Sequence, residues 1–433
     1  MNHKLKYFLI GVALMSLAVA AVWNLSGASV TGAVKQFILQ TATNSINGTL
    51  SVGDVAFSMS GNMLAKQVEL KDKSGTLIAS AQTLSIDFDL ADLLTRRFDV
   101  DRVRKISLDG LILNLSRDKE AHWNTEGVLR KTAVSPTAAA AAIFRGQVIA
   151  ANASIKVATS DSTYAFKNVD GMIDFTKYPD LIMDLKAKDG SALIAAKGTW
   201  NFSGGGNVTV TLDGVELTSF GPTIPLTGPV STTFVLTGTT DNPSATGSFK
   251  VPSGALGTLS FSNAVGDFSF ANESLTLANA KFNALGGAIS ASGPVSPYTL
   301  RYVQKVTGQN IDSSQLSDKD IQGRLNFTAD VRGQGPWEGA NADGSFNMGA
   351  GTISGISFDA LTGNFSKRGS QTRYYNLRAT IAGQTINIGD ADTFDALKIN
   401  FKVPTLPGFS TPSGPKVPIA PVLPKLPSLP RLF

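Results

Sequence analysis

Apolar and polar residues alternate with a period of two along most of the chain. The segment TLSIDFDL (83–90) places a large apolar residue at every second position, and NVTVTL (207–212) and SLTL (274–277) repeat the pattern. Such alternation is typical of β-strands that bury one face of a sheet. Glycine, proline, asparagine and aspartate bound the runs, as in short antiparallel strands joined by tight turns. The sequence therefore predicts a mainly β protein.

The apolar positions of these runs share one face of the predicted sheet, and that face has to be covered. The residues that we assign to it are Leu84, Ile86, Phe88, Ile106, Leu108, Leu113, Leu115, Val208, Val210, Leu212, Phe234, Leu236, Phe268, Phe270, Leu275 and Leu277. A closed β-sandwich or barrel would cover them with other parts of the protein. A long sheet curled into a trough would instead present them to acyl chains. Both architectures are compatible with the alternation.

The second half of the chain contains an internal repeat. Residues 225–270 align with residues 320–366 at an offset of 95 to 97 positions. The aligned pairs include Gly228 with Gly323, Gly238 with Gly333, Phe249 with Phe346, Gly254 with Gly351, Phe261 with Phe358 and Gly266 with Gly363. Repetition of a multi-strand unit favours a sheet that is extended by stacking, because each unit buries its apolar face against its neighbours.

The N-terminal region predicts a membrane segment. Residues 1–6 are basic, and they precede an uncharged apolar run at 7–23. This pattern is typical of a signal anchor that crosses a membrane once with its amino end in the cytoplasm. A cleaved signal peptide that ends in the A-x-A motif at 18–20 is the alternative. We predict the uncleaved anchor, which leaves the rest of the chain outside the cytoplasm.

Composition argues against several kinds of chemistry. The chain has no cysteine and two histidines, so catalytic or metal-binding sites have few candidate side chains. The acidic segments 118–124 and 390–396 lack an activated nucleophile or a calcium-loop pattern, and we interpret both as polar turns, with Trp123 packed inward. No arginine-rich stretch with interleaved aromatic residues indicates nucleic acid. We therefore predict a protein that is not an enzyme, needs no cofactor and binds no nucleic acid.

Several weak motifs occur in a recognisable order over residues 1–130. The apolar run and an amphipathic helical segment (28–46) come first. The next motifs are VELKDKSGTLIASA (68–81), LSIDFDLADLLTRR (84–97), VRKISLDGLILNLSRD (103–118) and the pair Trp123-Asn124. This order resembles the start of the AsmA-like, or TamB-type, family of bacterial envelope proteins, and the spacing of residues 228–243 is similar to that family's C-terminal repeats.

The resemblance implies a bridge-like lipid transfer protein. It implies a single-pass protein of the bacterial inner membrane, with most of the chain in the periplasm. It also implies an elongated, curled antiparallel β-sheet (a β-groove or taco) that binds phospholipid or transfers it between the inner and outer membranes, in support of outer-membrane biogenesis. The chain is shorter than the larger members of the family. The alternative is a non-catalytic envelope scaffold, a closed β-sandwich array that aids outer-membrane protein assembly.

The chain ends in a proline-rich tail. Proline recurs at every third position from Pro412 to Pro430, which is the period of a polyproline II helix. One ridge of such a helix is almost wholly apolar. The residues of this ridge that we assign to docking are Val417, Leu423, Leu426, Leu429 and Leu432. The ridge would bind an outer-membrane or periplasmic protein, or the mouth of this protein's own trough; the alternative is a stiff spacer.

These patterns divide the chain into six regions. They are a membrane anchor (1–27), an AsmA-like N-terminal region with an amphipathic helix and strands (28–134), an alanine-rich helix or linker (135–145), a β-groove with the first repeat (146–318), the second repeat (319–403) and the proline-rich tail (404–433). Besides these, a short helix is expected at 91–97.

Overall fold

The structure is a computed structural model, and it describes residues 47–58, 62–88, 103–120, 122–125, 128, 144–159, 163–201, 204–216, 218, 226–239, 242–297, 299–316, 321–335, 339–353 and 355–391. The predicted anchor, the helices predicted at 28–46 and 91–97, the tail and all but the end of the alanine-rich segment lie outside these residues. Within the described ranges, no helix is both long enough and apolar enough to cross a membrane.

The described chain folds almost wholly into β-strands. Those in the first half are β1 (Gly48–Ser51), β2 (Val55–Phe57), β3 (Asn62–Asp72), β4 (Leu77–Phe88), β5 (Val103–Asp109), β6 (Ile112–Ser116), β7 (Gln147–Ala158), β8 (Thr163–Asp174), β9 (Asp180–Asp189), β10 (Ala192–Asn201) and β11 (Gly205–Glu216). Those in the second half are β12 (Leu226–Thr227), β13 (Pro229–Gly238), β14 (Pro243–Leu256), β15 (Leu259–Ala271), β16 (Ser274–Ala284), β17 (Gly287–Val295), β18 (Arg301–Asp312), β19 (Ile321–Gln334), β20 (Asn341–Ile353), β21 (Ile356–Phe358), β22 (Ala360–Arg368), β23 (Gln371–Ile381) and β24 (Gln384–Ala391). A 3₁₀ turn occurs at Ser313–Gln315. The prediction of a mainly β protein is confirmed.

The chain divides into two compact units. Unit 1 comprises the described residues up to Phe249 together with Phe270–Asn272, and unit 2 comprises Lys250–Ser269 and the residues from Glu273 onwards. In unit 1, β1 and β2 pair with β3, and the sheet continues through β4, β5 with β6, β7, β8, β9, β10, β11 and β13. In unit 2, strands β16 to β20 and β22 to β24 pair in chain order as an antiparallel meander.

The predicted antiparallel sheet contains parallel pairs in unit 1. Strand β7 runs parallel to both β5 and β6, with Ile106 opposite Val148 and Leu113 opposite Ile155. Parallel neighbours need a long connection, because the chain has to return to the end of the sheet at which it started. The segment between β6 and β7 (117–146) supplies this connection. The sheet is therefore mixed.

Unit 1 buries the apolar face that the alternation predicts. Leu84 on β4 and its cross-strand partner Leu108 on β5 are both buried. The chain then passes Gly110, which lies between β5 and β6 and has a φ of +61°. This left-handed residue interrupts the alternation, so Leu111 and Leu113 return to the buried face three and five residues after Leu108. The irregular spacing of leucines in this segment is thus a consequence of the left-handed backbone at Gly110.

Bulges with left-handed backbone interrupt strands in both units. They occur at asparagines in β7, β18 and β23, next to shifts in strand register. A bulge leaves a backbone N–H without its ladder partner, and here a side chain of the neighbouring strand accepts it. The three pairs are Asn152 N to Asp170 Oδ1 at 2.8 Å, Asn310 N to Asn326 Oδ1 at 2.8 Å and Asn376 N to Asp390 Oδ1 at 3.3 Å.

We predict that Asp170→Ala lowers the free energy of unfolding by about 1 kcal/mol, because the N–H of Asn152 loses its acceptor. Asp189→Ala is the matched control, since Asp189 forms an exposed ion pair with Lys167 at 3.5 Å. Loss of that pair is expected to cost less than about 0.5 kcal/mol. Urea unfolding of the full-length chain measures both changes. Equal losses for the two variants would contradict the role assigned to Asp170.

The repeat is longer in the structure than in the sequence alignment. Strand β23 begins 97 residues after β16, and β24 begins 97 residues after β17. Asn279 in β16 and Asn376 in β23 occupy equivalent positions and have φ values of +52° and +55°. The backbone therefore repeats beyond residue 270, where the side chains have diverged.

An arginine–aspartate cluster lies on the exposed face of unit 2. Both Asp343 carboxylate oxygens accept from Arg368 Nη2, at 2.8 and 3.0 Å, and Ser366 Oγ donates to Asp343 Oδ1 at 2.9 Å. Arg332 Nη2 lies 3.8 Å from Asp343 Oδ2. The hydrogen bond from Arg368 is the main cause that holds the pKa of Asp343 below the usual value of an aspartate.

A lowered folded-state pKa means that the Asp343 carboxylate stabilises the fold above the pKa of an unfolded aspartate, about 4. This contribution is lost as the pH falls through the folded pKa. We predict that the natural chain is more stable than Asp343→Asn at neutral pH, and that the difference shrinks below about pH 4. Urea unfolding, monitored by circular dichroism at several pH values from neutral to acidic, measures this difference in the free energy of unfolding. A stability difference between the two proteins that grows towards low pH would contradict the prediction. When Arg368→Gln is introduced into both proteins, the stability difference between them should be smaller at every pH.

Candidate functional site

A cavity of about 450 Å³ lies in unit 1. This volume falls within the range of roughly 300–1,000 Å³ that is typical of small-molecule sites. Strands β5 to β10 and the turn that carries Trp123 form most of its wall. The larger apolar side chains of the wall are Leu108, Leu111, Leu115, Trp123, Val148, Ile155, Val157, Phe166, Val169, Ile173, Leu185, Ile194, Trp200 and Leu236. The site is therefore an apolar chamber built from one face of a sheet.

Small residues create the space inside this chamber. Ala150 on β7, Ala187 on β9 and Ala196 on β10 all line the cavity, among neighbours with much larger side chains. Trp123 and Trp200, both buried, close parts of the wall with their indole rings. A sheet face that carried leucine or valine at the three alanine positions would fill this volume with protein atoms.

Two neighbouring bulges keep the apolar side chains directed into the cavity. In β8, Phe166 and Val169 both line the cavity although they are three residues apart, and Asn168 between them has a φ of +47°. In β7, Asn152 (φ +52°) separates the wall residues Ala150 and Ile155 in the same way. A bulge adds one residue to the strand, so the period-two pattern resumes on the same face after it. Bulges also increase the local twist of a strand.

Charged groups of these strands face away from the cavity. Lys186 is the one ionisable residue that contributes to the wall, and its side chain is exposed. On the same side of the sheet, Lys197 Nζ lies 2.8 Å from Asp184 Oδ2, and this hydrogen bond lowers the pKa of Asp184 and raises that of Lys197. Nowhere in the described part of the chain do three histidine, aspartate or glutamate side chains form a group that could hold a metal ion. The wall can contribute apolar contact rather than acid–base chemistry.

The segment 118–124 forms a polar turn beside the cavity. The Asp118 carboxylate accepts from the backbone N–H of His122 at 2.8 Å, and His122 Nδ1 lies 3.7 Å from the other carboxylate oxygen. Both side chains are more than half exposed. Trp123 packs inward, as the sequence predicts, and becomes part of the cavity wall. Of the acidic segment at 390–396, only Asp390 lies fully within the described residues.

The structure separates the predicted face residues into three groups. Those buried in unit 1 are Leu84, Ile86, Ile106, Leu108, Leu113, Leu115 and Val208. Those that are half-buried are Val210, Leu212, Phe234, Leu236, Phe268, Phe270, Leu275 and Leu277. The side chain of Phe88 lies outside the described residues, as do the tail residues Val417, Leu423, Leu426, Leu429 and Leu432.

Only a few of the predicted residues reach the cavity. Leu108, Leu115 and Leu236 line it. Leu84 and Ile86 lie instead in the close-packed core cluster of unit 1. The alternation therefore identifies the buried face, whereas the cavity occupies one part of that face.

Sequence reasoning missed most of the cavity wall. Strands β7 to β10 contribute Val148, Phe166, Ile194 and Trp200, none of which was predicted. In β7 and β8 the apolar positions do not form an unbroken period of two, because bulges shift the register. In β9 and β10 the period of two is intact, and these strands were not among those assigned from the sequence. A search that allowed one extra residue at each in-strand asparagine would have found Phe166 and Val169.

The chain matches no family model, no curated protein and no solved structure. What the fold defines by itself is a mainly β protein with an apolar cavity in its first unit. The resemblance to the AsmA-like family stays a prediction.

We predict that Ala196→Leu changes the free energy of unfolding by less than about 1 kcal/mol, because the added carbons extend into open cavity space. The control is Ala153→Leu, at a fully buried core position on β7 that does not line the cavity. Overpacking there is expected to cost about 1–3 kcal/mol. Urea unfolding monitored by tryptophan fluorescence measures both variants. If the two costs were equal, the alanine-lined space in unit 1 would be closed in solution.

Proposed function

We propose that the protein binds the acyl chains of phospholipids in the apolar cavity of unit 1 and acts as a lipid-binding or lipid-transfer protein of the bacterial envelope. The observation that carries the proposal is the wall, which combines many aliphatic and aromatic side chains with three alanines that keep the space open. A carbon chain is the ligand class that such a wall stabilises, because it offers apolar contact without hydrogen-bond partners.

The mechanism requires no bond making or breaking. An acyl chain that leaves a membrane would lose about 0.8 kcal/mol per CH₂ in water, and an apolar wall restores most of this energy. Transfer is then an exchange between two apolar environments, with the polar head group left in water. No described side chain has to gain or lose a proton during this exchange.

The wider setting of the proposal follows from the sequence. Residues 7–23 would anchor the chain in the inner membrane, and the β units would lie in the periplasm. The half-buried apolar positions of unit 1 beyond the cavity, such as Val210 and Phe234, would continue the lipid-binding surface as an elongated, curled groove. The leucine ridge of the tail would dock on an outer-membrane or periplasmic partner. The family resemblance supports the anchor, the periplasmic location and the groove, whereas the apolar ridge of the tail is the support for docking.

The test uses two neighbouring residues of β10 that face opposite sides of the sheet. Ala196→Phe places a ring in the cavity, whereas Ala195→Phe adds the same ring on the other face of the same strand. We predict that phospholipid co-purifies with the natural full-length chain and with Ala195→Phe. Ala196→Phe should retain several-fold less, because the ring occupies part of the volume. Mass spectrometry of the bound lipid, per mole of protein after exchange into a lipid-free detergent, measures the difference.

Transfer is measured separately with an acyl-labelled phospholipid that moves between donor and acceptor vesicles. Circular dichroism and the urea midpoint confirm that both phenylalanine variants are folded. A natural chain without bound phospholipid would overturn the proposal and favour the scaffold alternative. Equal losses for Ala195→Phe and Ala196→Phe would show that lipid binds elsewhere on the protein.

A further inference from the structure

Basic side chains concentrate on the exposed face of unit 2. Strand register places Lys305, Asp330, Asp343, Ser366 and Arg373 in one row across β18, β19, β20, β22 and β23. The residues that alternate with this row, such as Ala342 and Lys367, are buried on the opposite face. At about 4.8 Å between strands, the row is ~19 Å long. It defines one row of side chains on the exposed sheet face.

Arginines flank this row at one end of the strands. Arg332 and Arg368 expose 63% and 56% of their side chains, and Arg301 and Arg373 are also exposed. The acidic residues within the row are Asp330, opposite Lys305, and Asp343, which Arg368 and Arg332 approach. Positive charge therefore remains in excess over these five strands. We call the surface formed by Arg301, Lys305, Arg332, Arg368 and Arg373 the basic face.

An apolar side chain lies within the basic face. Val303 is 59% exposed, the largest value among the large apolar residues of the described chain. It lies between Arg301 and Lys305 on β18 and opposite Arg332 on β19. An exposed valine surrounded by cations is unfavourable in water alone, since its apolar area stays hydrated. In the head-group region of a bilayer, both the valine and the cations find favourable surroundings.

The exposed side of unit 1 differs in composition. There the cations are mainly lysines, and two of them pair with aspartates, Lys197 with Asp184 at 2.8 Å and Lys167 with Asp189 at 3.5 Å. In the described part of unit 1, acidic and basic residues are also equal in number. Such pairs leave little net charge to attract an anionic surface. Arginine is also the better ligand for phosphate, because its planar guanidinium donates two parallel hydrogen bonds. The basic face is therefore distinct in both net charge and residue type.

We propose that the basic face of unit 2 binds the surface of a bilayer that contains anionic phospholipid. The arginines would contact lipid phosphates, and Val303 would enter the interfacial region. Cations distributed along the exposed face of these strands match the spaced phosphates of an anionic bilayer, and the exposed Val303 among Arg301, Lys305 and Arg332 favours lipid over an acidic polymer. This contact does not depend on what fills the cavity of unit 1.

The experiment uses the full-length chain reconstituted in nanodiscs of phosphatidylcholine, so that its N-terminal apolar segment is already embedded. Vesicles of phosphatidylcholine alone, or of equal parts phosphatidylcholine and phosphatidylglycerol, are then captured by the nanodiscs and quantified by co-sedimentation. We predict capture of the anionic vesicles only, with capture decreasing as salt is added. The triple variant Arg332→Gln, Arg368→Gln and Arg373→Gln should weaken capture on the order of 100-fold, at ~5-fold for each charge.

The matched control removes the same number of charges from unit 1, as Lys167→Gln, Lys188→Gln and Lys197→Gln. Capture by this variant should change less than tenfold, and Val303→Ser should weaken capture with no change in net charge. Circular dichroism confirms that each variant is folded. Equal losses for the two triple variants would overturn the proposal, because net charge alone would then explain capture. Unchanged capture by the arginine variant, or binding of an oligonucleotide in place of anionic vesicles, would also overturn it.

Discussion

Burial of one apolar sheet face is the interaction on which unit 1 depends. Each strand contributes a row of aliphatic residues, and cross-strand pairs such as Leu84 with Leu108 join the rows into one core. The apolar residues stay on the buried face only if the alternation resumes on that same face after each irregularity in a strand. The left-handed residues Gly110 and Asn152 have this effect in β5–β6 and β7, because each interrupts the alternation by one position. Bulges are therefore part of the core's construction.

The same bulges impose a polar requirement on the exposed face. A bulged N–H needs an acceptor, and Asp170, Asn326 and Asp390 provide it from neighbouring strands. These side chains lie on the opposite side of the sheet from the apolar rows. Core packing therefore does not restrict which residues occupy the other positions on that exposed side. In unit 2 the unrestricted positions carry the arginines around Val303. One face thus stabilises the fold, and the other is available for contacts with a partner.

Sequence patterns predicted the β class and much of the buried face, since the period of two follows directly from strand geometry. Leu84, Ile106 and Leu113 are buried as their alternation indicates. The wall residues Phe166 and Val169 escaped detection because a bulge breaks the pattern between them. The continuation of the repeat beyond residue 270 escaped detection as well, since the left-handed backbone persisted at Asn279 and Asn376 while the side chains around them diverged.

The sequence alone determined that the chain forms many strands with one apolar face, because side-chain alternation is a local property of extended backbone. Two features required the tertiary structure. The parallel pairing of β7 with β5 and β6 depends on where a long connection returns to the sheet. The cavity depends on Ala150, Ala187 and Ala196, from three different strands, meeting at one place. No local pattern encodes such a meeting, since strand register decides which side chains become neighbours.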